Sequence, residues 1–513
     1  YTFLPGRNFT TSYTYDKASN RTGFTDPEGG STTYVYDTLH RLQTLTPPTA
    51  FGSGSFGFSY DALSRRTQMT RPNNVTTNYA YDNLSRLTSV LHQLAGSTID
   101  GAMYTLDNAG NRTAKTDQRT AVATSYGYDS IYQLLSATQG ATTTESYTYD
   151  PVGNRLSDLS TSGWSNNTSN ELTSRPGVSY TFDNDGNELT KVDSTGTTSY
   201  TWDFENRLTS VTLPGSGGTV SFKYDPFGHR IYKSSSTGTS IYAYDGDDLI
   251  EETNASGGVV ARYTHTTDKI DEPAAMLRSG ATSYYQADGL GSITSLSSTA
   301  GALAQTYTFD SFGKQISSSG SLINPFQFTS RELDTETNLY YFRERYYDPQ
   351  PGRFLSEDPA WFDAGINFYT YVRNNPINFT DPSGLYTTSP EVPLPLPPAL
   401  DKFMKCMDGC TGRDQHVNAT TNGKHSDPGH AAGTTVDIRP VGTPSQGPNG
   451  VYCCAGKCGA PYLLDERKLH TKYGAGPHYH IQLVPPLHPS PNAPNSIPDT
   501  PECKPGQKCD TNK

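Results

Sequence analysis

Cysteine is missing from the first 400 residues of this 513-residue chain, which excludes a disulfide scaffold for most of it. Long apolar runs are missing too: no stretch approaches about 18 consecutive apolar residues, so the sequence offers no membrane-spanning helix. Hydrophobic residues amount to only 33%, and 35 residues are tyrosine, so the expected core is tyrosine-rich β structure rather than leucine and isoleucine. Basic charge is short as well. Lys+Arg total 39 against 51 Asp+Glu, a net −12 that argues against a chain-wide nucleic-acid surface. Glycine (47) and proline (35) stay below the level of low-complexity disorder. An initiator methionine and a signal peptide are lacking, and the chain opens inside a repeat; the expectation is a C-terminal piece of something longer. Length alone allows about three domains at one per ~150 residues, but internal repetition can stretch one architecture much further.

What is present divides sharply near residue 400. All seven cysteines (Cys406, Cys410, Cys453, Cys454, Cys458, Cys503, Cys509) and seven of the eleven histidines follow it. Residues 401–513 carry 12 basic and 10 acidic side chains, so the acidic excess belongs to the larger part. Between the parts, Pro390 to Pro398 suits an extended, semi-rigid spacer.

In the larger part an aromatic-x-aromatic-Asp motif recurs, as in Tyr34-Val35-Tyr36-Asp37, Tyr79-Ala80-Tyr81-Asp82, Tyr147-Thr148-Tyr149-Asp150, Tyr200-Thr201-Trp202-Asp203 and Phe222-Lys223-Tyr224-Asp225. Alternating aromatics predict a strand with one face of rings, and the Asp opens a turn, often completed by Gly and Asn. A second short strand follows, such as Arg207–Val211. Each unit is then a hairpin, marginal alone and stable only when stacked on its neighbours.

This motif and its spacing resemble the YD repeats of bacterial Rhs proteins, toxin-complex C subunits and teneurins, over roughly residues 1–385. The resemblance implies a mainly β fold in which hairpins spiral into a hollow shell around a cargo. Residues 1–325 would form the shell. Residues 326–385 include Leu339-Tyr340-Tyr341-Phe342-Arg343-Glu344-Arg345-Tyr346-Tyr347-Asp348-Pro349 and end in Asp381-Pro382-Ser383-Gly384-Leu385. They resemble the Rhs core-associated module, in which an aspartyl autoprotease cuts after the final Leu. The positions carried over are Asp358 and Asp381, with the cut between Leu385 and Tyr386. Two close carboxylates can share a proton, so that one activates water while the other polarises the carbonyl. Asp-Pro occurs seven times in the chain, mostly as a turn opener; only the surrounding motif distinguishes these two.

Beyond a linker at 386–400, residues 401–489 hold the other chemistry, followed by a Pro- and Cys-containing tail at 490–513. The informative runs are Lys424-His425-Ser426-Asp427-Pro428-Gly429-His430, then Val436-Asp437-Ile438, and later Gly476-Pro477-His478-Tyr479-His480. In His478-Tyr479-His480, residues two apart share a strand face. Asp437 lies between Val436 and Ile438 in a buried-strand context, where an unpaired carboxylate is costly and a metal ion would relieve that cost. Two His and one Asp leave an open position on Zn²⁺ for water.

His-x-x-Gly-x-x-x-Asp followed by His-x-His resembles the zinc D-alanyl-D-alanine carboxypeptidase superfamily, including lysostaphin-type endopeptidases. The resemblance implies a small α+β metallopeptidase-like domain with zinc on His430, Asp437 and His480. Where many members place an acid as general base, this chain has Pro477; His478 is the candidate base, ahead of Glu466 or Asp465. The cysteines suit disulfides in a domain working outside the cytoplasm, with a structural zinc on Cys453, Cys454 and Cys458 as the weaker alternative.

The resulting expectation is a secreted antibacterial Rhs toxin: a shell that cuts itself and releases a zinc-dependent peptidase acting on peptidoglycan peptides in the target's periplasm or cell wall. Its implied partners are that substrate, a cognate immunity protein and secretion-system delivery components, with no nucleic acid and no membrane span. The alternatives are a nuclease cargo, against which stands the absence of a basic stripe in 401–513, and a non-enzymatic adhesion or spacer protein.

Overall fold

The computed structural model describes residues 8–267, 271–360 and 366–385, together with the backbone of four strands further on. The repeats form antiparallel ribbons in which every strand pairs with the next one in sequence. Thirteen strands from Ser12–Tyr15 to Thr142–Ser146 make one sheet, and sixteen from Ser165–Asn166 to Gln315–Gly320 make another. A two-stranded pair, Thr148–Tyr149 with Arg155–Ser157, lies between them in the chain. No described helix is long and apolar enough to cross a membrane.

The turn expected after each Asp is built by the Asp itself. At Asp82 the Ser85 N–H donates to the Asp82 carbonyl and the Asp82 N–H to Arg86 O, both at 3.0 Å. The carboxylate then takes the N–H groups of Leu84 and Arg86 on Oδ1 (2.9 and 3.0 Å) and Arg86 Nε on Oδ2 (2.6 Å). Burial works against this charge, yet the hydrogen bonds from Arg86 and Leu84 outweigh it and hold the carboxyl below its ordinary pKa. Ser85, fourth in the turn, adopts a left-handed φ of 65°, the geometry of a hairpin closed by a turn and a one-residue bulge. Asn20, Gln133, Asn154 and His229 take the place of Arg86 in other units and bond the same carboxylate oxygen.

Neighbouring units are stitched by two further groups. The second aromatic of the motif donates to a backbone carbonyl of the preceding unit: Tyr81 to Arg66 O (3.0 Å), Tyr149 to Leu134 O (2.9 Å), Tyr244 to Arg230 O (2.9 Å). Where Trp202 replaces tyrosine, its Nε1–H makes the same bond to Glu188 O at 2.8 Å. The bond recurs where the ring carries a donor at its tip; Phe182 and Phe309 hold the same position without one. The turn arginines reach forward as well; Arg65 stacks 4.7 Å over the Tyr81 ring and donates to Asp82 O at 3.3 Å. The two rings of a motif share one face, as alternation predicts, with centroids 6.4 Å apart at Tyr147 and Tyr149.

The ribbon returns on itself, so residues 13–119 pack against residues 245–308. Asp26 pairs with Arg262, Arg66 with Glu272, and Lys115 Nζ with Asp288 at 2.9 Å. A buried relay crosses the same seam. Arg71 donates to Thr77 Oγ1 (2.6 Å), whose hydroxyl meets His92 Nδ1 (2.8 Å), and His92 Nε2–H donates to Ala287 O (3.0 Å). A carbonyl only accepts, so the proton of His92 sits on Nε2.

Residues 326–385 form a separate four-stranded sheet, Glu332–Asp334, Leu339–Phe342, Arg345–Asp348 and Arg353–Phe354, built on packed rings of Phe328, Tyr340, Phe342, Tyr347, Phe354 and Tyr371. This module caps the turns of the repeats. Tyr369 OH donates to Gly186 O (2.8 Å), Asn374 Nδ2 to Gly153 O (2.8 Å), Tyr341 OH to Gly228 O (3.1 Å), Tyr340 OH to Gly313 O (3.1 Å) and Ser330 Oγ to Gly291 O (2.7 Å). Each acceptor is the left-handed fourth residue of an Asp turn. Beyond residue 385 the described backbone is a four-stranded antiparallel sheet in the order Gln415–Ala419, Thr435–Pro440, Tyr479–Gln482, Tyr462–Asp465. Helices expected for an α+β domain lie outside the described residues, and so do the seven cysteines.

Two outcomes follow. Tyr149→Phe leaves the ring packing but removes one donor, and is expected to cost about 1 kcal/mol in chemical denaturation; an unchanged midpoint would show that the hydroxyl does not stitch the units. Burial, reinforced by the Arg71 charge, holds the His92 imidazole down to about 4 from its ordinary 6.5. Unfolding lets the ring take up a proton at higher pH, so its contribution is complete above about 6.5 and is lost as the pH falls toward about 4. The denaturation midpoint should fall across that window, and less steeply in His92→Gln; equal slopes would exclude His92 as the source.

Candidate functional site

The capping module draws Asp358 and Asp381 together in its interior, both almost fully buried at 3% and 4% exposure. Arg345, at 3% exposure, stands between them. Its Nη2 meets Asp358 Oδ2 at 2.6 Å and Asp381 Oδ2 at 3.3 Å. The remaining donors of Arg345 go to main chain, Nη1 to Phe368 O (2.9 Å) and Nε to Gly384 O (2.5 Å), and its guanidinium lies 3.6 Å from the Phe354 ring centre. A cation so deeply buried needs both carboxylates, because a buried charge without a partner is costly.

Each aspartate is set by its own turn. Asp358 Oδ1 accepts the Ala360 N–H at 2.9 Å. Asp381 Oδ1 accepts two, from Gly384 (2.8 Å) and Leu385 (3.0 Å), so its carboxylate is tied to the residue that precedes the expected cut. Gly384 has φ 80°, and a Cβ there would meet Phe342 O at 2.6 Å, so the chain passes too close to the module for any larger residue. Two β-branched residues nearby, Thr329 and Val372, also hold left-handed backbone, at φ 46° and 41°. Such strain costs on the order of 1–3 kcal/mol per residue and gathers at functional sites. Next to Val372, the Tyr371 phenol has its pKa raised by burial first and then by the Asp381 charge.

The sequence reading paired the two aspartates but missed Arg345. A signal existed in Arg343-Glu344-Arg345-Tyr346-Tyr347-Asp348, where arginine and acid stand among rings in a strand context that requires buried partners. Arg331, Arg343 and Asp271 were missed too. Arg331 and Arg343 both donate to Pro382 O, next to Asp381, and both pair with Asp271.

The expected zinc ligands are reached only in part. Asp437 and His480 are directly paired residues of adjacent antiparallel strands. His430 and His478 lie outside the described residues, as does Glu466, while Asp465 pairs with Tyr479. Among the described side chains no group of three or more His, Cys, Asp or Glu is arranged to hold a metal.

Comparison with known proteins agrees with the architecture. A tRNA3(Ser)-specific nuclease WapA of Bacillus spizizenii is 30% identical over 270 residues, 50% of this chain and 12% of that protein. The toxin subunit YenC2 of Yersinia entomophaga is 49% identical over 59 residues, 12% of this chain and 6% of its own length. The chain thus spans only a small part of these relatives. Among solved structures, a TcdB2-TccC3-Cdc42 crystal structure matches with a TM-score of 0.63 at 21% identity, covering 74% of this chain and 22% of the other; that likeness concerns the fold. The family model for the teneurin YD-shell matches residues 114–393, more than half of the sequence. With its stacked Tyr-Asp hairpins and the module that caps them, the chain belongs to the teneurin YD-shell family.

Proposed function

We propose that this is a toxin-type YD-shell chain that hydrolyses its own Leu385–Tyr386 bond and frees residues 386–513. The observation that carries the reading is Asp381: one oxygen holds the N–H of Leu385, the other shares a nitrogen of Arg345 with Asp358. In the reaction one carboxylate takes a proton from water and the other assists at the Leu385 carbonyl. The water oxygen adds to that carbon, the C–N bond breaks, and the proton passes to the departing Tyr386 nitrogen. Leu385 is left as a carboxylate and Tyr386 as an amine. Arg345 keeps the two aspartates adjacent while they do this. The protein is then secreted or delivered to a rival cell with help from delivery components and is restrained at home by an immunity protein.

For the freed segment, the direct pairing of Asp437 with His480 supports the metal-hydrolase reading, since opposed residues of an antiparallel ladder lie on one face. His430, Asp437 and His480 would hold zinc and His478 would serve as base, with peptidoglycan peptides in the periplasm or cell wall as substrate. Zinc supplies Lewis acidity toward a carbonyl and lowers the pKa of water bound to it. The similarity to WapA, a tRNA3(Ser)-specific nuclease, favours a second reading, a nuclease cargo.

Asp381→Asn should leave a single band on a denaturing gel where the parent chain gives two; persistent cutting would remove Asp381 from the mechanism. The cut chain, incubated with muropeptides and separately with tRNA, should lose a peptide bond in the former, with chelator blocking the loss. Degradation of tRNA with muropeptides intact would select the nuclease cargo.

A further inference from the structure

No disulfide can join the capping module to the ribbon, since every cysteine lies beyond residue 400. One contact across that boundary has the parts for a different covalent bond. Lys191, on the ribbon strand Glu188–Asp193, brings its Nζ to 3.4 Å from Asp348 Oδ2, at the end of the module strand Arg345–Asp348. The two side chains are mostly buried, at 20% and 7% exposure.

A third group reaches this pair because the ribbon strand is bulged. In a regular strand Glu188 and Lys191 would face opposite ways. Here the register sets Phe182 against Glu188, Thr181 against Thr190 and Tyr180 against Lys191, so Leu189 is the extra residue. Tyr180 and Phe182 share a face, and the bulge returns both Glu188 and Lys191 to it. Glu188 is buried there against the Tyr200 phenol. Burial first, and then the Asp348 charge, pushes its carboxyl up to about 8, so it carries a proton at neutral pH. Asp348 presents its two oxygens differently. Oδ1 accepts the Gln350 N–H at 2.8 Å, while Oδ2 is the one that faces the lysine. Lys115 and Asp288 stand closer still, at 2.9 Å, but the groups that act on them are Tyr104, Tyr126 and Arg112, with no second acid.

We propose that Lys191 and Asp348 join in an amide bond, with Glu188 as proton carrier, and that this bond fastens the module to the ribbon. Glu188 first gives its proton to Asp348 Oδ2 and takes one from the Lys191 ammonium. The nitrogen lone pair then bonds to Asp348 Cγ, and the carbonyl electrons collect on Oδ1, where the Gln350 N–H stabilises them. Glu188 passes its new proton to Oδ2, the Cγ–Oδ2 bond breaks, and water leaves. A last proton moves from nitrogen to Glu188, which ends as it began. One ammonium and one carboxylate have become one amide and one water. Holding the two groups in contact removes the entropic part of the barrier between them. Lys115 and Asp288, without a proton carrier, stay an ion pair.

The test is intact mass and tryptic peptide mapping of the full chain. Lys191 and Asp348 both precede Leu385, so self-cleavage leaves them in one fragment and does not bear on the result. The piece that carries them should be lighter by one water than its sequence requires. Trypsin should fail to cut after Lys191, and Lys191 and Asp348 should appear in a single branched peptide, with Lys115 and Asp288 in separate ones. Lys191→Arg keeps the charge and Glu188→Gln keeps the size; each should regain the water and lose the branch. A parent of full mass that is cut after Lys191 would overturn the bond. So would a lost water that maps to an Asp-Gly step such as Asp185-Gly186, with Lys191 unlinked. A branch that forms as completely in Glu188→Gln would overturn the part given to Glu188.

Discussion

The structure depends on one local bond pattern, a carboxylate folded back onto the N–H groups two and four residues ahead of it. That pattern turns the chain in five residues and lets two strands pair at once. It also leaves the fifth residue of the turn tied to the carboxylate and pointing toward the next unit. Arg65 shows the result: bound to Asp61, it lies over the Tyr81 ring and reaches the carbonyl of Asp82. A single hairpin could not bury its rings, but a series of them, each holding the next through an arginine and a phenol, can. The low aliphatic content of the chain follows from this. Rings with donors at their tips do two tasks where leucine would do one.

The same turns provide the surface on which the capping module stands. A left-handed residue turns its carbonyl outward, free of the ladder, and the module supplies a hydroxyl or amide to each of five of them. Close approach dictates the residue there: a Cβ on Gly186 would meet Glu357 at 2.6 Å and the Tyr369 hydroxyl at 2.7 Å. Turns elsewhere in the ribbon carry Ser64, Ser85 or Asn206 at the equivalent place. At Gly153, Gly186 and Gly313 an added Cβ would meet a side chain of the module, so there glycine reflects tertiary packing, whereas Gly29 and Gly110 hold the same turn position with no module residue within 4 Å.

Much of the fold was legible because period-2 alternation and Asp-x-x-Gly are local signals. The hairpins and their face of rings could be read from spacing, while the separate character of residues 326–385 came from the resemblance of their run of motifs to a core-associated module. The partner of each hydroxyl could not, since those bonds join residues well apart in sequence. The site was half legible. Asp348, Asp358 and Asp381 look alike to the sequence, as each stands before proline, and each also accepts an N–H a few residues ahead. What separates them is their cation. Asp348 faces Lys191 at 3.4 Å, whereas Asp358 and Asp381 converge on Arg345. A shared cation is a property of the folded module, and no spacing rule reports it.

Buried charge is concentrated where module meets ribbon, and this location has a reason. Arg230, at 1% exposure of its side chain, holds Glu332 (2.7 Å) and Asp334 (2.5 Å) across that boundary. Asp271 holds Arg331 and Arg343 in the same region. Taken as stabilisers such pairs are weak, because the cost of removing both charges from water nearly cancels their attraction. Taken as locators they are strong, since displacing one member leaves a charge buried and alone. Rings packed on rings would tolerate a small slide of the module over the turns. Arginines seated between fixed carboxylates do not, and a module that cannot slide keeps Asp381, Asp358 and Leu385 in one register.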